Sequence, residues 1–196
     1  MTRTWGGTTL DDRRAARREK LLAAGLDLLG TQGSAAVSVR AVCRHAKLTE
    51  RYFYESFTDR EDLVLAVYEQ VAREARQVLI DAVPDPRAAA TTRAEAAVTA
   101  FVELMVDDPR TGRVLLLAPI TDPTLSARGV ALLPTFAALI REQLPDHLDA
   151  PDRELTAAGL VGALTNLFTG YLGGGLKVSR DRLIAHCVAL LARAGA

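Results

Sequence analysis

Few residues in this 196-residue chain are suited to covalent chemistry: it has two cysteines, three histidines and a single tryptophan. Cys43 and Cys187 lie far apart with no metal-ligand spacing around them, so the sequence offers neither a disulfide framework nor a zinc site, and both read as reduced packing residues. His45, His147 and His186 stand apart from one another and outside any nucleophile or metal motif. The glycines at 173–175 follow a helical pattern and lack the Lys-Ser/Thr ending of a phosphate loop. No enzyme is therefore expected, and no cofactor. Aromatic residues make up only 5% of the chain against 49% hydrophobic, with Ala and Leu abundant, which favours helices over sheets. Formal net charge is zero, which argues against an indiscriminate polyanion binder. The first residues lack the apolar core of a signal peptide and no uninterrupted apolar run reaches bilayer length, so the expectation is a cytoplasmic protein with no membrane contact.

The charge is unevenly spread. Residues 1–60 hold 11 Lys or Arg against 7 Asp or Glu, and residues 61–196 hold 13 against 17. The excess gathers at Arg13, Arg14, Arg17 and Arg18 and again at Arg40, Arg44, Lys47 and Arg51, a distribution suited either to neutralising phosphates or to a solvated helix face.

Residues 38–63 carry the strongest signal. Ser38 is placed to cap a helix whose Val39 and Val42 form an apolar stripe up to about Ala46; a turn at Lys47 and Leu48 follows, and Thr49 is placed to cap the next helix. Within that helix Phe53 and Phe57 are four apart and share the inner face, while Arg51, Tyr52 and Glu55 take the opposite face, with Tyr54 at its margin. Asp59 then caps a helix from Arg60 that turns Leu63, Val67 and Val71 inward. An aromatic lock under a short helix with polar groups outside is the division of labour a helix-turn-helix needs to enter the major groove.

By chemistry, Arg51 is the candidate for bidentate reading of guanine, and Tyr52 for a thymine methyl or a phosphate. Ser38, Thr49, Tyr54 and Arg60 suit backbone phosphates, and Arg40 belongs to the same basic cluster. Glu55 either accepts from cytosine or pairs with a nearby Arg and steers it, and pairing is favoured. His45 is expected to face solvent or phosphate.

The remaining chain reads as six to seven further helices, about nine in all: 12–30, 38–45, 49–56, 60–82, 87–106, 109–117, 124–143, 152–172 and 180–193. Pro84 and Pro86 stop the fourth, Pro119 and Pro123 bracket a connection, and residues 1–11, with Trp5, form a mobile arm. In the penultimate helix Ala158, Gly162, Asn166 and Gly170 recur every four residues beside Gly159 and Ala163, leaving one side nearly bare. Glycines that weaken a helix imply a packing reason: the backbone of a second subunit against the bare side, or close packing within one monomer.

At residues 38–63 the chain resembles the N-terminal domain of the TetR family of bacterial transcriptional regulators. The resemblance rests on Ser38, Ala46-Lys47, Thr49, Phe53-Tyr54-Glu55-Ser56-Phe57 and Arg60-Glu61-Asp62-Leu63, and covers roughly residues 15–70. Two positions depart from the pattern. Lys47 stands where the family usually has Gly, so it either adopts a left-handed backbone or uses a different turn, and Arg60 replaces the usual Lys.

The resemblance implies an all-α protein: a three-helix helix-turn-helix DNA-binding domain at residues 1–58 and a helical effector-binding and dimerisation domain at 59–196. It implies a homodimeric repressor, bound to a palindromic double-stranded DNA operator and released by a small, largely apolar effector. The effector pocket would be walled by residues such as Phe101, Met105, Leu116, Phe136 and Phe168. The dimer would form through the last two helices, with Gly159, Gly162, Ala163, Asn166 and Gly170 on one and Leu183, Cys187 and Leu190 on the other. The fourth helix, joining both units, would be the lever between them. The alternative is a helical carrier or interaction module that has lost DNA binding.

Overall fold

The structure, a computed structural model, describes residues 9–83, 85, 87–145 and 147–194. Those residues hold α-helices and no strand: α1 (Leu10–Gln32), α2 (Val39–Ala46), α3 (Glu50–Tyr54), α4 (Arg60–Ala82), α5 (Ala90–Val102), α6 (Pro109–Gly112), α7 (Ala118–Thr121), α8 (Pro123–Arg141), α9 (Ala150–Leu172) and α10 (Arg180–Ala194). Because π-helical turns at Glu103–Asp107 and Arg113–Leu117 extend α5 and fuse α6 to α7, the described chain forms nine continuous helical rods, as the sequence predicts.

The caps explain most boundaries. Thr9 accepts from the Asp12 amide while the Asp12 carboxylate accepts from the Thr9 amide, a reciprocal box that starts α1 at Leu10, inside the expected arm. Ser38 and Asp59 cap α2 and α4 as read from the sequence, each accepting from the backbone amide three residues on. Thr49 occupies the N-cap position of α3 without a side-chain cap bond, and α3 ends at Tyr54, two residues before the expected end. Pro119 falls in the first turn of α7, where a missing N–H is tolerated, so the helix runs on to Thr121 and the bracketing prolines part there only at Pro123. Pro84, Pro86, Trp5 and the first eight residues lie outside the described residues.

The core is continuous across the expected boundary near residue 58. Leu21, Leu28, Val42, Phe53, Leu63 and Val67 from α1 to α4 belong to one buried cluster with Met105, Val114, Leu115 and Leu125. Gly30 lets the N-terminal bundle meet the rest closely, since a Cβ there would lie 2.7 Å from Arg110 Cα, and within the C-terminal body Gly112 does the same for α6 against the Met105 carbonyl. Smaller clusters join α5 to α9 and α10 around Val98, Phe168 and Cys187, and α8 to α9 around Ala137 and Leu160.

Two helices, Pro123–Arg141 and Ala150–Leu172, are long and apolar enough by length and composition to cross a membrane, contrary to the expectation from uninterrupted apolar runs. Scattered Thr, Ser and Gly break the runs, with Arg128 the interior charge of the first helix and Asp152, Arg153 and Glu154 confined to the first turns of the second. In the fold the two helices pack on each other, and α8 also packs on α4 and α7.

Candidate nucleic-acid interface and central cavity

Helix α3 is fixed from below and flanked from one side. Phe53 is fully buried and Phe57 nearly so, their rings 5.6 Å apart. Removing the Phe53 ring would cost about 3–5 kcal/mol. Along the flank, α1 supplies three arginines: Arg14 donates to the Glu55 carbonyl (2.5 Å), Arg17 pairs with the Glu55 carboxylate (3.3 Å) and covers the Tyr52 ring (4.4 Å), and Arg18 lies over Phe57 (4.9 Å). Part of the basic cluster, read from sequence as suited either to phosphates or to a solvated helix face, thus holds the short helix in place, and Tyr52, half-buried beneath Arg17, presents less than its full ring outward.

What remains outside is polar and free to reach a ligand. The Arg51 side chain is 86% exposed and only loosely tethered to Glu55 (3.5 Å), in line with the favoured pairing reading of Glu55. Arg40 is 90% exposed and loosely tethered to Glu50 (3.5 Å). Tyr54 is 58% exposed, with its ring edge-on to Phe53. Ser38, Arg44, Lys47 and Thr49 are exposed as well. Lys47 resolves the open question at the turn: its φ of 55° and ψ of 42° are left-handed, and its amide closes α2 on the Arg44 and Cys43 carbonyls.

Arg60 departs from its expected place on a phosphate. Its guanidinium turns inward and donates to the Val37 carbonyl (2.9 Å), the Ser34 carbonyl (3.0 Å), the Ser34 hydroxyl (2.5 Å) and Asp122 (3.0 Å). Asp122 is 2% exposed, also accepts from the Ser34 hydroxyl, and caps α8 through the Thr124 amide (2.8 Å). Burial alone would raise the Asp122 carboxyl, but the hydrogen bonds from Ser34, Arg60 and Thr124 outweigh it and hold it below the usual carboxylate range. One buried carboxylate therefore ties the α1–α2 connection and the start of α4 to the α7–α8 junction. His45 likewise faces a partner, Asp27 (3.3 Å), whose other oxygen pairs with Arg110 (3.2 Å), so α2, α1 and α6 meet at one carboxylate.

Beside that junction lies a cavity of about 660 Å³. Phe101, Leu116, Phe136 and Phe168 line it as expected, and Phe101 meets Phe168 edge-on at 4.9 Å. Met105 does not line it: it is fully buried one layer away, in the core shared with the N-terminal helices. Sequence reading missed Tyr68, Leu132, Leu164 and Leu191, which also line the wall; periodicity marks them only as core. The lining residues Ile120, Val130 and Leu133 are 69%, 66% and 40% exposed and form an apolar rim. The π-helical turn Arg113–Leu117 supplies Leu115 and Leu116 to the wall, and Pro134 removes the hydrogen bond that would close on the Val130 carbonyl at the rim.

The bare face of α9 is open. Gly159 and Gly162 are exposed with nothing within 4 Å of an added Cβ, so packing within the monomer does not explain them. Asn166 is exposed beside them, Ala163 is half-buried, and Leu155 is 70% exposed on the same face. Gly170 instead accommodates Leu176 of its own chain. On α10, Leu183 and Cys187 are buried against Val98, Val102 and Phe168, which corrects their expected place on an interface. Leu190 is half-buried against α9, and the outward side of α10 carries Arg182, Ala185 and His186. Burial pushes the Cys187 thiol up to about 11, and the Cys43 thiol is raised by burial and by Glu50.

Residues 21–67 match the model of the bacterial regulatory proteins of the tetR family. No curated protein matches the sequence. Among solved structures, a transcriptional regulator from Rhodococcus sp. RHA1 superposes with a TM-score of 0.75 at 17% identity, covering 90% of this chain and 95% of that one. The fatty acid degradation regulator FadR from Bacillus halodurans gives 0.68 at 16%, covering 90% and 94%. The multidrug binding protein EbrR, complexed with imidazole, gives 0.66 at 20%, covering 89% and 94%.

Proposed function

The N-terminal domain of this chain is that of the TetR family of bacterial regulatory proteins, and on that premise we propose that the protein is a cytoplasmic, homodimeric transcriptional repressor with no catalytic activity, released from a palindromic operator by a small apolar effector. The chain has the fold of TetR-like transcriptional regulators, which supports DNA binding and regulation as its role. The observation that carries the proposal is the contrast between the two sides of α3: buried aromatics and three arginines hold it on one side, and Arg51, Tyr54 and the neighbouring Arg40 are exposed on the other. In this reading Arg51 reads guanine, and Ser38, Arg40, Thr49 and Tyr54 bind phosphates, with Tyr52 as a secondary contact. The DNA-reading unit comprises residues 1–58, and 59–196 form the effector and dimer unit, with the exposed face of α9 against its copy.

The cavity supports effector control, as does the fold shared with a fatty acid degradation regulator and a multidrug binding protein. A ligand releases DNA only if it binds the non-DNA conformation better; a hundredfold loss of operator affinity needs a coupling of about 2.7 kcal/mol. The Asp122 cluster is a physical route for it. Pro119, Ile120 and Ser126 border the cavity, Asp122 lies between them, and its partners Ser34 and Arg60 set the entrances of α2 and α4.

The test is selection of the full chain on a randomised duplex library. A palindromic winner with half-site centres about 34–36 Å apart is the expected result. Failure of the folded protein to enrich any sequence, with and without cell extract, would leave the carrier reading standing.

A further inference from the structure

Resting on the reading of the cavity as an effector site, we propose that Tyr68 is the polar anchor of its ligand, and that the ligand is an uncharged, predominantly apolar molecule bearing a carbonyl-type oxygen acceptor. Tyr68 sits on α4, lines the cavity and is 2% exposed, yet its hydroxyl makes no hydrogen bond to any described residue. A hydroxyl that faces an apolar cavity without a protein partner is left to water or a ligand for its acceptor, and Phe would fill the same volume without needing one. The hydroxyl lies beside Gly129 of α8, where an added Cβ would come within 3.5 Å of it. The glycine leaves the oxygen uncovered.

The surroundings fix the chemistry of the ligand. Among the described residues, the charged side chains lining the cavity are Arg93 and Glu142, of opposite sign, which provides no net charge to recruit an ion. The remaining wall is dominated by aliphatic and phenyl groups. Burial pushes the Tyr68 phenol up to about 12 against the lowering effect of Arg128, so at neutral pH it is a neutral donor. Gln143 places a second buried polar atom, its unpartnered amide oxygen, on the same cavity. Since an amide can turn either end outward, that group tolerates rather than selects a polar substituent.

Two probes of matched shape separate this claim from general greasiness: 6-propionyl-2-dimethylaminonaphthalene and its 6-propyl analogue, which lacks the carbonyl oxygen. Each is titrated by fluorescence into the full-length protein and into Tyr68→Phe. The expected result is that the ratio of ketone to hydrocarbon affinity falls about tenfold in the variant. The hydrocarbon affinity should stay within about twofold, and the bound ketone's emission should shift to the blue as its hydrogen bond is lost. An unchanged ratio would overturn the role of Tyr68 while leaving the cavity reading intact. Binding of neither probe would overturn the cavity reading and the proposal together. Thermal melting of Tyr68→Phe at or above the wild-type temperature is expected of a phenol with no internal partner; a clear drop would show the hydroxyl to be structural and contradict the assignment.

Discussion

At Lys47 a lysine holds a backbone conformation that L-residues with a Cβ adopt at a cost of about 1–2 kcal/mol. Replacement by glycine removes that strain and adds some unfolded-state entropy, so Lys47→Gly should stabilise by about 0.5–1 kcal/mol, raising the melting temperature by about 1–4 °C. A fall in the melting temperature would mean that the lysine side chain contributes more than its backbone costs. Asp122 gives a second test with a defined sign. Its carboxyl is depressed in the folded state, so its contribution to stability is fully present above the unfolded value near pH 4 and is lost as pH falls through the folded value. The difference in denaturation midpoint between wild type and Asp122→Asn should be largest near neutral pH and shrink below about pH 4. A difference that stays constant down to pH 3 would exclude ionised Asp122 as the stabilising species. Arg51 and Arg60 separate just as clearly. Arg51→Ala should relax sequence preference with fold stability unchanged, whereas Arg60→Ala should lower stability and disturb effector coupling; competition between selected and scrambled duplexes, read beside a melting curve, checks the division.

At the scale of the elements, what the sequence discloses is what local physics fixes. Ser38 and Asp59 mark the starts of α2 and α4 because a short side-chain oxygen answers amides three residues on, and Phe53 and Phe57 mark the inner face of α3 because four residues is one helical turn. The inward turn of Arg60 was illegible: its partner Asp122 is 62 positions away, and an arginine next to a recognition helix is equally suited to a phosphate. Leu183 and Cys187 illustrate another limit. Periodicity identifies the apolar stripe of α10, but that stripe meets Val98, Val102 and Phe168 in the same chain, and the outer face is left to smaller and polar residues. Met105 and the true cavity lining differ by one layer, a distinction no pattern of residue types carries. The open stripe of α9, by contrast, was readable, because glycines in a helix need a reason and the monomer supplies none at Gly159 and Gly162. Gly162→Arg should therefore leave the monomer folded and convert the sedimenting species from dimer to monomer. A dimer that persists would move the interface away from α9.

For the whole molecule, one core joins the N-terminal helices to the cavity-bearing body, and the ion-paired and hydrogen-bonded links at Asp27 and Asp122 cross the same boundary. In the dimer proposed above, that shared core would carry a change at the α7–α8 junction to the spacing of two recognition helices, and two-fold symmetry would turn that spacing into operator affinity. In the proposed function the exposed basic face around α3 binds a duplex as one of a pair. Fluorescence anisotropy of a selected duplex titrated with the full chain across a salt series tests it most directly. Saturation at two protomers per duplex and a log–log salt slope of about −4 to −8 are expected. A folded protein whose affinity is absent, or does not change with salt, would contradict it.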